Sequence, residues 1–415
     1  MSTRSKGNRH GALDVGVVSP SSSQAKPPLE SLISTHDFEA VASHTFTPKT
    51  WAFVSSAATD LHTKRRNAQA YATIGLRPRT LRDVANVDLS TTVLGHAIRA
   101  PIFGSPVAMA GLVHEQGEKE IGRAVKEAGL AQCVSTSASY PLDAIVAATR
   151  AHPTEKPHTV PFFFQLYMDK NRENSRQLLQ RARSAGASAI FLTIDAPVPG
   201  KREADERIQS DESLRSGMSG ASGKNDAKGG ALGRIMGGYI DASMSWKDIP
   251  WVRECVPGMP IVLKGIQTCE DAIMAMRAGV EAIVVSNHGG RSLDTSPATI
   301  MVLLELHNNC PEVFQKMEVF VDGGITRGTD IFKALCLGAK AVGLGRGTLY
   351  SLNYGHHGVS RYIEILRDEL ETTMRMCGVT SLHQLHPEYL NTLKADPFVP
   401  KIDSASLERT AKCKL

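Results

Sequence analysis

The chain has 415 residues, of which 42% are hydrophobic and 21% charged, and it carries a formal charge of +5 at pH 7. That composition supplies a sizeable globular core and excludes collagen-like and disulfide-rich chains. The positive charge is spread out rather than gathered into a basic arm, and no run of about 18 apolar residues occurs, so neither a nucleic-acid partner nor a membrane span is expected.

Residues Met1 to Leu29 are rich in Ser, Gly, Pro and basic residues, with Asp14 the sole acid. Gly7, Gly11 and Pro20 would interrupt an amphipathic presequence, so residues 1–30 are expected to be a disordered tail. A helical leader follows from about Thr35 to Asp60. Short apolar, β-branched runs then recur at Pro101–Ala108, Ala131–Ser135, Pro161–Tyr167, Ala187–Ile194, Pro260–Lys264, Ala282–Ser286, Glu318–Asp322 and Ala341–Gly345. Continuous rather than alternating hydrophobicity indicates strands buried on both faces. Helical patterns lie between most of them, for example Thr268–Ala278 behind a threonine cap and Gly328–Gly338 with its terminal glycine. One stretch, Gln209 to Gly238, is crowded with Ser, Gly, Lys and Asp and reads as a flexible lid or filler between the fourth and fifth strands.

Eight strand–helix units in one chain predict an α/β fold, a (β/α)8 TIM barrel over residues 31–385. A doubly wound open sheet fits less well, since no G-x-G-x-x-G follows the first strand. Residues 386–415 are expected to be a C-terminal tail. It ends in Cys413-Lys414-Leu415, a conservative variant of the Ser-Lys-Leu peroxisomal address, with the cytoplasm as the alternative location. Seven scattered cysteines, none at zinc spacing, suggest ordinary thiols in a reducing compartment, and no metal is implied.

Active sites of such barrels form where strands end and βα loops begin. Those positions hold Val107 and Ala108 after the first strand, Ser135 after the second, and Gln165 with Tyr167 after the third. The fourth supplies Thr193 and Asp195, followed by Arg202; the fifth ends in Lys264; the sixth runs into Ser286-Asn287-His288-Gly289-Gly290-Arg291. The seventh gives Asp322-Gly323-Gly324 and the eighth Gly345-Arg346. Glycines that let the backbone approach a ligand suit a phosphate at the last two. A neutral imidazole at His288 can remove a proton near pH 7, Asp195 can steady it, and Arg291 can hold a carboxylate in two hydrogen bonds.

Together these stretches resemble the FMN-dependent 2-hydroxy acid oxidase and dehydrogenase family, which includes glycolate oxidase, lactate oxidase and the flavin domain of flavocytochrome b2. The similarity runs from about Asp37 to Leu382. It implies FMN over Val107 and Ala108, contacted by Ser135, Gln165, Thr193, Lys264 and Ser286. Asp322 would hold the ribityl chain, and Gly323, Gly324, Gly345 and Arg346 the phosphate. It further implies His288 as the base and Arg291 as the carboxylate anchor, with Tyr167 and Arg202 assisting. A homotetramer is also implied.

Three positions depart from the family pattern. Phe53 and Val54 stand where two tyrosines are usual, Ser137 replaces a common aromatic, and Thr326 occupies a phosphate-binding arginine position, with Arg327 next to it as a replacement. No His-Pro-Gly-Gly of a haem domain appears, so reoxidation is expected to use dioxygen or a separate electron acceptor. The expected reaction is oxidation of a 2-hydroxy acid to a 2-oxo acid with hydrogen peroxide as co-product. The alternatives are the same chemistry on a bulkier metabolite, a dehydrogenase with a separate acceptor, or a non-catalytic barrel that binds a phosphate ligand.

Overall fold

Strands that are apolar on both faces need covering on both, and a closed barrel inside a ring of helices provides it. In the computed structural model, which describes residues 25–155, 158–222 and 225–402, all eight runs form such strands. They are β1 (Ile102–Gly104), β2 (Ala131–Ser135), β3 (Phe162–Leu166), β4 (Ala187–Thr193), β5 (Ile261–Ile266), β6 (Ala282–Val285), β7 (Glu318–Asp322) and β8 (Ala341–Leu344). They close in sequence order with every pairing parallel. The first run is the one most overestimated: beyond Gly104 the chain leaves the sheet, and Val107 and Ala108 lie on the loop above it.

Inside the barrel, Phe103, Phe163, Phe191 and Phe320 pack with ring centroids 5.2–6.3 Å apart. Each such aromatic pair contributes about 0.5–1.5 kcal/mol beyond simple burial. A hairpin of Thr91–Val93 and His96–Ile98 brings Val93 and Ile98 into the same cluster from below. The lower barrel is therefore solid, and a ligand can enter only at the C-terminal end.

The leader is two helices, α1 (Thr35–Thr45) and α2 (Pro48–Ser55). A Ser34/Asp37 capping box starts α1, and Thr47 followed by Pro48 starts α2. A third helix, α3 (His62–Thr73), was not anticipated, because its sequence carries no apolar stripe. The chain's end also differs from expectation. Residues 386–402 pack on the barrel, with Leu390–Asn391 pairing antiparallel to Gly75–Leu76 and Tyr389 buried. Residues 1–24 and the Cys413-Lys414-Leu415 ending lie outside the described residues.

The insert between β4 and β5 is packed over the barrel mouth. Ser216 Oγ donates to the carbonyls of Thr136 and Ala138, at 3.2 and 3.0 Å, and Met218 is buried. Lys49 of α2 pins the base of this cover: its ammonium reaches Asp205 Oδ1 at 2.5 Å and the carbonyls of Ile208 and Gly230 at 2.8 and 2.7 Å. The Asp205 side chain is fully buried. Breaking a buried pair from one side leaves an uncompensated charge, which costs about 3–5 kcal/mol. Lys49→Ala should therefore lower stability by about 3 kcal/mol in urea unfolding and hasten proteolysis within residues 206–230. A loss below about 1 kcal/mol with unchanged proteolysis would show that Lys49 does not hold the cover.

Candidate active site

Strand alternation decides which side chains reach the mouth. Two residues beyond the inward Phe103, Cys133, Phe163, Phe191, Val262, Val284 and Phe320 come Ser105, Ser135, Gln165, Thr193, Lys264, Ser286 and Asp322. The register seats Ser135 beside Gln165 and Thr193 beside Lys264. A hydrogen-bonded line follows: Ser135 Oγ donates to Gln165 Oε1 at 3.1 Å, and Gln165 Nε2 donates to Thr193 Oγ1 at 3.0 Å. Lys264 Nζ donates to Ser286 Oγ at 2.8 Å and lies 3.2 Å from Asp322 Oδ2. Burial opposes the Lys264 charge, but Asp322 and Asp195 outweigh it and hold the ammonium's pKa above its ordinary value.

His288 sits just past β6 in a left-handed conformation, φ +57°, followed by Gly289 at +62° and Gly290 at +76°. A non-glycine residue there costs about 1–2 kcal/mol, and the surroundings enforce it. Asn67 of α3 and Asn287 exchange two side-chain amide bonds of 2.8 Å, and Asn287 Oδ1 also accepts from Gly290 N. A β carbon at Gly290 would meet Lys64 N at 2.7 Å, which excludes larger residues.

The imidazole is held at both nitrogens. Asp195 Oδ1 lies 2.8 Å from Nδ1, and Tyr167 Oη lies 3.2 Å from Nε2. The carboxylate accepts from Nδ1–H, so in the neutral ring Nε2 presents its lone pair to the pocket with the tyrosine hydroxyl donating to it. Burial lowers the His288 pKa and Asp195 partly restores it. Asp195 is buried too, yet His288 and Lys264 keep its carboxyl below the usual range. Burial, with Asp195 adding to it, raises the Tyr167 phenol to about 12. Asp195 Oδ2 has no hydrogen-bond partner among the described residues, so one oxygen of this buried acid is unsatisfied. Gly265 makes room for it: a β carbon there would come within 2.5 Å of Asp195 Cβ.

Three guanidinium groups converge nearby. Arg291 donates to the carbonyls of Val54 and Ser56 and lies 5.3 Å over the Phe53 ring. Arg346 donates to the same two carbonyls and to Gly289 O at 2.7 Å. Arg202 donates to Arg291 O at 3.4 Å. Among the described residues none of the three has a carboxylate within ion-pair distance. Burial depresses the pKa of each, and for Arg291 the neighbouring Arg202 and Arg346 add to it. Guanidinium nonetheless stays charged, so the site attracts anions.

Gly323, Gly324, Gly345 and Arg346 border the same cavity. Gly324 could carry no side chain, its β position lying 2.3 Å from Asn67 O, whereas a β carbon at Gly345 would meet nothing within 4 Å. Open space over Gly345, beside an arginine without an acid, suits a phosphate. Val107, Ala108 and Thr326 also line the cavity. Arg327 requires a correction. Its guanidinium pairs with Glu369 at 2.8 Å and it does not line the cavity, because it serves instead as the N-cap of helix Gly328–Cys336. Sequence reasoning missed Asn67 and Lys64, both on α3 and both lining the cavity. Lys64 donates to Ser55 O at 2.9 Å, and burial lowers its pKa. Only a basic polar stretch hinted at them.

A family model described as FMN-dependent dehydrogenase matches residues 42–392. The L-lactate dehydrogenase (cytochrome) of Saccharomyces cerevisiae is 41% identical over 89% of this chain, which spans 62% of that protein's length. A peroxisomal (S)-2-hydroxy-acid oxidase of Oryza sativa subsp. japonica is 38% identical over 87% of this chain and 96% of its own length. A crystal structure of mandelate oxidase with (S)-4-hydroxymandelic acid superimposes with a TM-score of 0.79 at 31% identity, covering 87% of this chain and 98% of that one. A barrel mouth with a histidine–aspartate pair, anion-seeking arginines and a glycine cradle agrees with this likeness: the chain belongs to the FMN-dependent dehydrogenase family.

Proposed function

We propose that the chain oxidises a 2-hydroxy acid to the corresponding 2-oxo acid, with FMN as its redox group. The observation that carries this reading is the line Asp195–His288–Tyr167 opening beside Arg291 and Arg202, a proton acceptor next to a carboxylate anchor. Val107 and Ala108 would seat the flavin ring, with Ser135, Gln165, Thr193, Lys264 and Ser286 at its polar edge. Asp322 would take the ribityl chain, and Gly323, Gly324, Gly345 and Arg346 the phosphate. When bound, FMN supplies the acceptor for two electrons.

The protein's own groups do the rest. Arg291 holds the substrate carboxylate, aided by Arg202 and Tyr167, and so aims the α-carbon at His288. Nε2 of His288 takes the proton, and Asp195 stabilises the imidazolium that results. Lys264 provides fixed positive charge against the electrons delivered. Dioxygen is the proposed final acceptor, two electrons and two protons yielding hydrogen peroxide. The rice relative's name supports a peroxisomal location, and family resemblance supports a homotetramer.

Ser137 favours a larger acid as substrate. Its small side chain lines the cavity, and the Tyr239 hydroxyl lies within hydrogen-bonding reach of it. The wall here is polar, and serine fills less of it than an aromatic side chain would.

Four outcomes test these readings. His288→Gln should keep the yellow colour, while anaerobic bleaching by substrate slows about 1,000-fold in stopped-flow absorbance; wild-type rates would refute the assignment. The base must be neutral, so wild-type bleaching should rise with pH along a limb centred below the ordinary imidazole value, because burial depresses the His288 pKa. Asp195→Asn removes the group that restores that pKa, so it should move the limb further towards acid as well as slow the reaction. Ser137→Trp should cut bleaching by mandelate about 100-fold relative to glycolate or lactate; an unchanged ratio would show that this wall does not select the substrate.

A further inference from the structure

Outside the barrel, in the ring of helices and not among the residues that line the cavity, three metal-ligating side chains meet. Glu127 lies on helix Glu118–Ala128, His152 caps the end of helix Leu142–Ala151, and His356 stands in the first turn of helix Gly355–Met376. These helices follow β1, β2 and β8. We propose that Glu127, His152 and His356 bind one divalent cation of the zinc type, as a clip joining three helices of the outer ring.

The donor atoms of the three residues lie within 4.8 Å of one another. Glu127 Oε1 is 2.8 Å from His152 Nε2 and 3.9 Å from His356 Nε2. Two ligands at 2.0–2.1 Å from a tetrahedral zinc stand roughly 3.3 Å apart, so a shift of about half an ångström in each of the two glutamate–histidine contacts brings them to that spacing. Two imidazoles and a carboxylate are a donor set that suits zinc.

An ordinary surface ion pair would explain His152 and Glu127, and such a pair is worth about 0–1 kcal/mol. It does not explain His356. That ring's Nδ1 donates to Glu120 Oε2 at 2.8 Å, and Glu120 is buried, accepts also from His356 N, and pairs with Arg123. The tautomer is thereby fixed, and Nε2 is aimed at Glu127 from beyond hydrogen-bond distance. A buried carboxylate behind one ring nitrogen, with the other nitrogen free to ligate, is the supporting arrangement that metal-bound histidines use. Ser360 Oγ similarly donates to Glu127 Oε2 at 2.5 Å. Lys126 is turned away, its ammonium held by the carbonyls of Arg150 and His152. The Glu127 side chain is one-third exposed, which leaves a side for water as fourth ligand.

The ligands come from distant points of the chain, so an ion held by all three binds the native state alone and stabilises it by mass action. The experiment uses full-length, FMN-loaded protein treated with a chelator and dialysed. Zinc chloride followed by calorimetry should show one saturable site per chain, and a raised Tm. Cobalt(II) should give the visible bands of four-coordinate geometry. His152→Ala/His356→Ala should weaken binding at least 100-fold and abolish the Tm rise, with substrate bleaching of the flavin unchanged. Glu120→Gln, which keeps the bulk of the supporting residue, should weaken binding about 10–100-fold; it serves as the test where the double variant does not fold. Absence of saturable binding to the wild type, or unchanged affinity and cobalt spectrum in the variants, would overturn the proposal.

Discussion

The two-residue period of the barrel strands is the constraint on which the rest depends. Inward positions alternate with outward ones, so each strand sends a fixed sequence of side chains up the barrel axis. The lower inward positions are Phe103, Cys133, Phe163, Phe191, Val262, Val284 and Phe320, a dry plug. The next ones up are the polar residues of the mouth. A register slip of one residue in any of these strands would turn a plug residue out of the barrel and a residue of the mouth into the helix layer. Stability and chemistry are thus written on the same face of the same strands, one step apart.

That step creates an electrostatic problem, which the site solves in pairs. Lys264 is buried, and Asp322 and Asp195 keep it charged. Asp195 is buried, and His288 and Lys264 keep it ionised. The three arginines have carbonyl oxygens and an aromatic ring for company but, among the described residues, no acid within ion-pair distance, which suits them to the proposed anionic ligands. His288, the proposed base, has its pKa held below the ordinary imidazole value because burial and the surrounding cations prevail over its aspartate. Its strained backbone is the cost of presenting Nε2 to the cavity from a strand end.

Much of this was legible in the sequence because apolar strands and polar strand ends are local signals. The eight runs were located by continuous hydrophobicity, Lys264 by its place at the end of one of them, and Asp195 and His288 by their position just past two others. What stayed hidden depended on contacts between distant segments. Helix α3 has no apolar face to advertise it, since it is held by Asn67 bonding to Asn287 and by the close approach of Lys64 to Gly290. Arg327 looked like a phosphate ligand by adjacency alone. A residue that caps a helix and finds a glutamate 42 positions later cannot be told from a ligand without that partner. The end of the fold was placed too early because Leu390–Asn391 is too short to register as a strand. The insert looked loose by composition, whereas its order comes from Lys49, Thr136 and Ala138, none of them in the insert.

Helix α2 ties these themes together. In eight residues it carries Lys49, which pins the cover through Asp205, and Phe53, whose ring lies beneath Arg291. Its Val54 carbonyl, with that of Ser56 just beyond, accepts from both Arg291 and Arg346. Asp205 lies three residues from Arg202, so the ion pair that holds the cover also fixes the segment bearing a second arginine of the site. Closing the mouth and orienting its cations are therefore one structural event, governed by a helix outside the strand–helix repeat. This explains how Phe53 can lack a tyrosine's hydroxyl while the arginine above it stays placed. The ring's packing and the two carbonyls hold the guanidinium, leaving its remaining N–H groups for a carboxylate.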